Sequence, residues 1–151
     1  MTNKIEELQV DIGINLDAMI PTEYDKAWIF YELGPGVAPS YWFCYIDSAT
    51  KRVIPMDGLE ERKDIIVNDV TEYKNHRSTT IIDIQQLQKE YVSTFDKCWF
   101  GITYQLNGNG TFDISFSYEK PTGSLQKRRE KWCMDHLGCM PPKITVDMLR
   151  K

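Results

Sequence analysis

The stretch CWFGITYQLNGNGTFDISFSYEK, residues 98–120, decides the fold. Apolar and polar residues alternate in its two halves, 98–106 and 111–120, which are separated by Asn-Gly-Asn-Gly at 107–110. Asn-Gly pairs adopt the positive φ angles that a tight β-turn requires. Alternation with a period of two buries one side of a strand and leaves the other side in a different environment. The stretch therefore predicts an antiparallel β-hairpin with one buried face.

Three further strands are predicted upstream of this hairpin. Residues 26–34 and 40–47 are rich in aromatic and β-branched side chains, which favour strands. The linker GPGVAP, residues 34–39, predicts that they form a second antiparallel hairpin with a loose loop. The unbroken apolar run in 40–47 indicates burial on both faces. Residues 51–56 predict a short strand that Pro55 places at an edge or an end of the sheet.

Three amphipathic helices are predicted from apolar residues that recur at steps of three and four. They span residues 3–20, 79–95 and 124–137. Pro21 ends the first helix because a proline cannot continue the helical hydrogen bonds. Gly138 is the candidate C-cap of the third helix.

The stretch that precedes the central helix, residues 57–78, is dense in charge. Its charge predicts a surface position, whereas Ile65, Ile66 and Val67 indicate that part of it packs. We interpret it as an irregular excursion with a short strand or a helical turn. The chain, residues 1–151, is thus predicted to be one α+β domain. It would hold an antiparallel sheet of about four to six strands, with the N-terminal, central and C-terminal helices packed on one face.

Composition narrows the class of protein. Apolar residues make up 42% and charged residues 26%, a normal globular balance. The net charge of −4 and the isoelectric point near 5.2 argue against direct nucleic-acid binding, which favours a basic surface. They are compatible with a basic protein partner. The N-terminal segment contains no continuous apolar run, so we expect no signal peptide, no membrane span and a cytoplasmic location.

Cys133, His136 and Cys139 lie at three-residue steps near the end of the third predicted helix. Cys133 and His136 share a helical face, but a zinc site needs a fourth ligand and the paired C-x-x-C spacing is absent. A Cys-His dyad is conceivable for Cys133, yet i,i+3 neighbours on a helix rarely line a cleft. Cys44 and Cys98 fall in apolar strands, where a free cysteine acts as a small hydrophobe. We therefore predict no metal site, no cofactor and no catalytic residue. A metal- or thiol-dependent enzyme that uses Cys133, His136 and Cys139 is the alternative.

Four segments occur in an order and spacing that resemble a known family. They are MIPTEYDKAWIFYEL (19–33), YWFCYID (41–47), LNGNGTFDISFSYEK (106–120) and EKWCMDHLGCMP (130–141). A helix that ends in Met-Ile-Pro, a Gly-x-Phe strand that closes on Tyr-Glu, and a final Trp, Leu-Gly and Pro are typical of that family. In these motifs, which span nearly the whole chain, the sequence resembles the YezG-like immunity proteins. These are antitoxins paired with LXG-type and related secreted polymorphic toxins of Gram-positive bacteria.

The resemblance implies a cytoplasmic antitoxin that binds the C-terminal toxic domain, often a nuclease, of a cognate secreted toxin. Neutralisation would proceed by occlusion of the toxin's active site or by disruption of its fold, without catalysis. The resemblance also implies that Cys133 and Cys139 occupy variable positions between the motif residues Trp132 and Pro141, so the thiols are incidental. An acidic inhibitor has the charge that complements the basic surface of a nuclease.

Residues 57–78 depart from the family pattern because they are longer and more charged, and partner specificity is expected to vary in such a segment. We therefore predict that the partner-binding residues are its acidic cluster and a neighbouring tyrosine: Glu60, Glu61, Asp64, Asp69, Glu72 and Tyr73. A second alternative is a non-catalytic adaptor that binds peptides on an aromatic face of the sheet. The sequence leaves the oligomeric state undetermined.

Overall fold

The computed structural model describes residues 3–34 and 37–149. Its helices are α1 (Lys4–Met19), α2 (Val70–Phe95) and α3 (Leu125–Leu137), and its strands are β1 (Tyr24–Gly34), β2 (Val37–Asp47), β3 (Val53–Pro55), β4 (Gly101–Asn107) and β5 (Phe112–Ser117). Two 3₁₀ turns, Leu59–Glu61 and Val146–Met148, complete the regular structure of the described residues. The strands form one antiparallel sheet in the order β3-β2-β1-β4-β5. The predicted α+β class is confirmed.

Both predicted hairpins are present. Leu106 pairs with Phe112, and the Asn107 N–H donates to the Thr111 carbonyl at 2.8 Å, so the turn closes where Asn-Gly-Asn-Gly predicts it. Gly110 has a φ of +90°, a conformation that favours glycine. β1 and β2 form the other hairpin; its tip, residues 35–36, lies outside the described residues. β3 is an edge strand, as Pro55 predicts.

α1 and α2 cover one face of the sheet, which we call the helix-pair face. α1 begins where the Asn3 side chain accepts the Glu6 N–H at 2.8 Å, and it buries a stripe formed by Leu8, Ile12 and Leu16. This stripe packs into the main core together with the side chains of β1, β2 and β4 that point to the same face. Ile29 of β1, fully buried, lies at the centre of this face.

α3 does not lie on the same face as the other two helices, which corrects the prediction that all helices pack on one face. Trp132 and Cys133 of α3 form a second cluster with Trp28, Trp42 and Cys44, which point away from α1 and α2. The Trp132 ring stacks on Phe30 with centroids 5.3 Å apart, and its Nε1–H donates to Thr103 Oγ1 at 2.9 Å. The physical reason is that β1 and β2 are apolar on both faces, so each face needs a covering layer.

The central helix begins nine residues earlier than predicted, at Val70 instead of Thr79. Its first turns are charged and expose most of their side chains; Tyr73 and Thr80 supply the buried positions there. The Asp69 carboxylate accepts the Glu72 N–H at 3.0 Å and caps the helix. The interpretation of 57–78 as irregular therefore holds only for residues 57–69, which contain a 3₁₀ turn. Cys98 is also misplaced by the prediction, since it is exposed and precedes β4.

Gly13 allows α1 to approach the sheet. A side chain at this position is therefore expected to destabilise the protein, although glycine has a low helix propensity. A Cβ at Gly13 would lie 2.5 Å from the hydroxyl of buried Tyr104, which donates to the Gln9 carbonyl at 2.8 Å. Although alanine favours helices over glycine, we expect Gly13→Ala to lower the free energy of unfolding by about 1–3 kcal/mol in urea titrations, because the core must shift.

Tyr104→Phe supplies the matched background for this test. Without the hydroxyl, the nearest remaining atoms to the added Cβ are 3.6 Å and 3.8 Å away, which is ordinary contact. Gly13→Ala should then be neutral or stabilising by up to about 1 kcal/mol. Equal destabilisation in both backgrounds would show that the hydroxyl is not the obstacle.

Candidate functional site

Residues 57–69, which we call the acidic loop, are held against the sheet from within. Leu59 is fully buried, and Ile65 and Val67 pack against the main core. The Arg62 side chain is 2% exposed and forms a two-point ion pair with Asp64, with Nε to Oδ1 at 3.0 Å and Nη2 to Oδ2 at 2.6 Å. A buried guanidinium bound at two points holds a loop in one conformation.

The C-terminal segment of the described chain supports the acidic loop from outside. Arg62 forms an isolated β-bridge with Leu149, and the Lys63 N–H donates to the Met148 carbonyl at 2.8 Å. The Met148 sulfur also lies 3.8 Å from Arg62 Nη2. These contacts place the 3₁₀ turn Val146–Met148 beside the loop.

The six predicted partner-binding residues occupy three kinds of position. Glu61, Asp69 and Glu72 are exposed, although Asp69 is engaged as the cap of α2. The Asp64 side chain is 38% exposed and paired with Arg62, whereas the Glu60 side chain is 12% exposed and lies 3.9 Å from Arg77.

Tyr73 is the predicted contact that the structure places in the interior. Its side chain is 2% exposed, and its hydroxyl donates to the Met56 carbonyl at 3.0 Å. The Arg77 guanidinium lies over the Tyr73 ring, 5.5 Å from its centroid. Tyr73 therefore attaches α2 to the start of the acidic loop and offers no surface to a partner, so we omit it from the proposed contacts.

Two grooves flank the acidic loop and meet at Pro21 and Asn68. The first is lined by Thr22, Asp47, Arg52, Ile54, Asp64 and Ile66 among others. The second is lined by Met19, Ile20, Val67, Asp69, Glu72 and His76 among others. We call the two grooves together the paired grooves. They bring three of the predicted acids beside Asp47 and Ile66, which is 70% exposed.

The carboxylates of the first groove are held in their charged form. Hydrogen bonds from Thr50, through its hydroxyl and its N–H, and from Thr22 lower the pKa of Asp47 below its ordinary value. The hydrogen bonds from Arg62 lower the pKa of Asp64 in the same way. Beside the apolar Ile54 and Ile66, this groove can accept lysine or arginine side chains from a partner.

Cys133 and His136 occupy different environments at the end of α3. Cys133 is fully buried, and burial raises the pKa of its thiol to about 11. His136 is exposed, its ring stacks on Trp132 with centroids 4.5 Å apart, and its Nδ1 lies 2.9 Å from the Trp132 carbonyl. Within residues 3–34 and 37–149, no group of three or more His, Cys, Asp or Glu side chains is arranged to hold a metal ion.

The aromatic strands do not present a free binding face. Trp28 and Trp42 are each 3% exposed beneath α3, and Tyr31 and Phe43 are buried beneath the helix pair. An adaptor that binds peptides on an aromatic sheet face would need one of these layers to move.

Sequence reasoning missed three residues of this site: Arg62, Asp47 and Ile66. Arg62 is one of five consecutive charged residues at 60–64, and nothing in the sequence distinguishes the buried member. Asp47 ends β2 and lies in the groove beside Thr22, which follows α1 and donates to its carboxylate at 2.8 Å. Ile66, taken from the sequence as one of the packing residues, is the one that points outward.

The comparisons with known proteins show the family of this chain. A family model described as immunity protein YezG-like matches residues 5–148, nearly the whole chain. The protein is thus an immunity protein, a class whose partners are toxins. It belongs to the YezG-like family, which confirms the resemblance read from the four motifs. The immunity protein YezG of Bacillus spizizenii is 24% identical over 152 residues, which cover 96% of this chain and 89% of the relative.

No helix within residues 3–34 and 37–149 combines the length and the apolar character that crossing a bilayer requires.

The Arg62–Asp64 pair generates a stability prediction. We expect Asp64→Asn to lower the free energy of unfolding by about 2 kcal/mol, because it leaves a buried guanidinium without its counter-charge. Glu61→Gln, at an exposed neighbouring carboxylate, should change it by no more than about 0.5 kcal/mol. Urea unfolding followed by circular dichroism measures both.

The pH dependence of the free energy of unfolding tests the Arg62–Asp64 ion pair. A carboxylate whose pKa is lowered by folding stabilises the protein above its unfolded pKa and ceases to do so as the pH falls through its folded value. The difference between wild type and Asp64→Asn should therefore shrink below about pH 4. A difference that stays constant from neutral pH to pH 3 would contradict the ion-pair assignment.

The cysteines generate a labelling prediction that tests the thiol-enzyme alternative. At neutral pH, iodoacetamide should alkylate exposed Cys98 first, whereas buried Cys44 and Cys133 should react only after unfolding. Mass spectrometry of peptides from folded and urea-unfolded protein measures the order. Rapid alkylation of Cys133 in the folded protein would support a reactive thiol.

Proposed function

We propose that this protein is a cytoplasmic antitoxin that binds the C-terminal toxic domain of a cognate secreted toxin and blocks it without catalysis. The whole chain, residues 1–151, would act as one immunity domain. The paired grooves and the adjoining exposed acids Glu61 and Glu72 would form the contact surface. The family supports the toxin partner, and the charged grooves support the location of the contact.

The observation that carries this proposal is the set of carboxylates held around the exposed apolar Ile66. Interfaces combine an apolar centre with a polar rim, and this surface has both at one place. Thr50 and Thr22 donate hydrogen bonds to Asp47, and Arg62 donates to Asp64. Both carboxylates therefore stay charged at neutral pH. The fitting partner is a surface of lysine or arginine side chains around an apolar recess.

A nuclease domain fits this description because its active site must attract phosphates. The same basic groove that binds nucleic acid would bind a fixed set of carboxylates. The antitoxin would then occupy the substrate channel, and its net charge of −4 would speed the encounter through electrostatic steering.

The anchoring of the acidic loop adds to this mechanism. Arg62 and Leu59 hold the loop before any partner arrives, so binding need not order it. A preformed surface avoids the entropic cost of ordering a flexible segment. The toxin is therefore met by a surface of fixed shape, which favours one cognate partner over others.

A charge-reversal experiment tests this proposal while avoiding residues that hold the fold. Asp64 and Asp69 are unsuitable because they pair with Arg62 and cap α2. We expect Glu61→Lys combined with Glu72→Lys to slow association with the cognate toxin domain by roughly tenfold or more at low salt. Surface plasmon resonance measures the rate.

The control is Glu7→Lys combined with Glu119→Lys, which changes the net charge equally at exposed positions away from the paired grooves. It should slow association much less. Equal slowing by both double variants, or none by either, would remove the paired grooves from the contact. A nuclease assay of the toxin domain with and without this protein tests the blocked activity independently.

A further inference from the structure

Strand β5 is the free edge of the sheet on the side away from β3. Hydrogen-bonded and non-bonded pairs alternate along an antiparallel ladder, and the Asn107 N–H to Thr111 carbonyl bond fixes which pairs are bonded. The backbone groups of Phe112, Ile114 and Phe116 therefore point away from β4. Within residues 3–34 and 37–149, these three N–H groups and three carbonyls have no backbone partner.

This edge lacks the features that usually prevent strands from pairing. Natural edges carry prolines, lysines or bulges, whereas β5 has the sequence Phe-Asp-Ile-Ser-Phe-Ser and pairs with β4 without a register shift. Its single charge, Asp113, lies on the face opposite the helix pair. A strand of this kind is a template for a further strand.

Exposed apolar side chains flank the edge at both of its ends. At the Phe112 end, Val10 and Ile14 of α1 are 47% and 60% exposed and line a groove with Phe112 and Leu106. The Phe116 end has a second patch. Contiguous exposed apolar patches mark interaction sites.

The patch at the Phe116 end is aromatic. Tyr91 of α2 contacts Phe116 with centroids 4.9 Å apart and Phe95 at 4.8 Å. Phe95 is 51% exposed and Tyr118, just beyond β5, is 49% exposed. The two patches lie at opposite ends of the same strand.

We propose that β5 pairs antiparallel with β5 of a second copy of this chain, about a twofold axis through Ile114. The segment Phe112-Asp113-Ile114-Ser115-Phe116 is symmetric in character about Ile114. In this register Phe112 of one chain lies opposite Phe116 of the other, Asp113 lies opposite Ser115, and the two Ile114 residues face each other. Every outward N–H in the row meets an outward carbonyl of the partner.

The twofold axis also explains both flanking patches. It places the Val10 and Ile14 patch of one chain against the Phe95 patch of the other, so both become covered by the same contact. Charge agrees with this pairing: Asp17 borders the first patch, and Lys97 follows Phe95 at the second. Asp113 faces a serine, so no like charges meet along the strands. A strand from another protein would match the backbone row but not the symmetry of the two patches.

The proposed dimer leaves the toxin-facing surface free. The first of the paired grooves is lined by residues of β2 and β3, and the second by the end of α1 and the start of α2. β5 is the edge of the sheet opposite β3. One dimer would thus present two acidic surfaces, and the inference stands or falls independently of the toxin proposal.

Sedimentation equilibrium of the full chain over a range of concentrations tests this inference. The wild type should approach twice the chain mass of 17.6 kDa. Ile14→Lys places a charge in the contact at a position 60% exposed, so it should leave folding intact and raise the dimer dissociation constant at least about tenfold. Ile82→Lys is the matched control, because Ile82 of α2 is 61% exposed away from β5. It should sediment as the wild type does.

Ile114→Pro is a second variant, since its lost N–H is one that β4 does not use, and prolines are tolerated at such edge positions. It should also favour the monomer, with circular dichroism confirming the fold. A wild type that remains monomeric at its highest soluble concentration would overturn the inference. So would a dimer that both Ile14→Lys and Ile114→Pro leave unchanged. A monomer that loses toxin binding through Ile14→Lys would assign the edge to the toxin instead.

Discussion

Strand β1 is hydrogen-bonded along both edges and covered on both faces, and the other layers of the molecule are arranged around it. Ile29 and Tyr31 point to α1 and α2, whereas Trp28 and Phe30 point to α3. Because β1 carries apolar side chains on both faces, a single layer of helices could not have covered the strand. The buried Glu32 orients α3 on the strand. Its carboxylate accepts the Arg128 Nε–H at 2.9 Å and so holds the start of α3 against β1.

This arrangement leaves only the periphery of the molecule for contacts with partners. With both faces of the central strands occupied, the surfaces left for partners are the loops and the free edges of the sheet. The acidic loop at one side is held by Arg62 and Leu59, so its charges are displayed in fixed positions. The β5 edge at the other side presents backbone groups and flanking apolar side chains. The core therefore separates the charged acidic loop from the apolar surroundings of the β5 edge.

Most of the fold was predictable because it rests on local patterns. The Asn-Gly-Asn-Gly turn, the Pro55 edge strand and the Gly138 cap each follow from the conformations that one or two residues allow. The start of α2 was not predictable from its apolar pattern, because its first nine residues are mostly polar and bury only Tyr73 before Thr80. Within the candidate site, the acids were found by their charge. The roles of the acids could not be predicted. Asp64, which pairs with Arg62, and Glu61, which is exposed, cannot be distinguished within a run of charged residues.

The sequence by itself determined the class of fold, the family and the acidic character of the surface, because alternation, turn residues and net charge are properties of neighbouring residues. Only the tertiary structure decided the side on which α3 packs, the burial of Arg62 and Tyr73, and the placement of Asp47 beside the acidic loop. Each of these depends on which residues distant along the chain meet. A solvated and a buried side chain with the same neighbours in sequence differ by the contacts that the rest of the chain supplies.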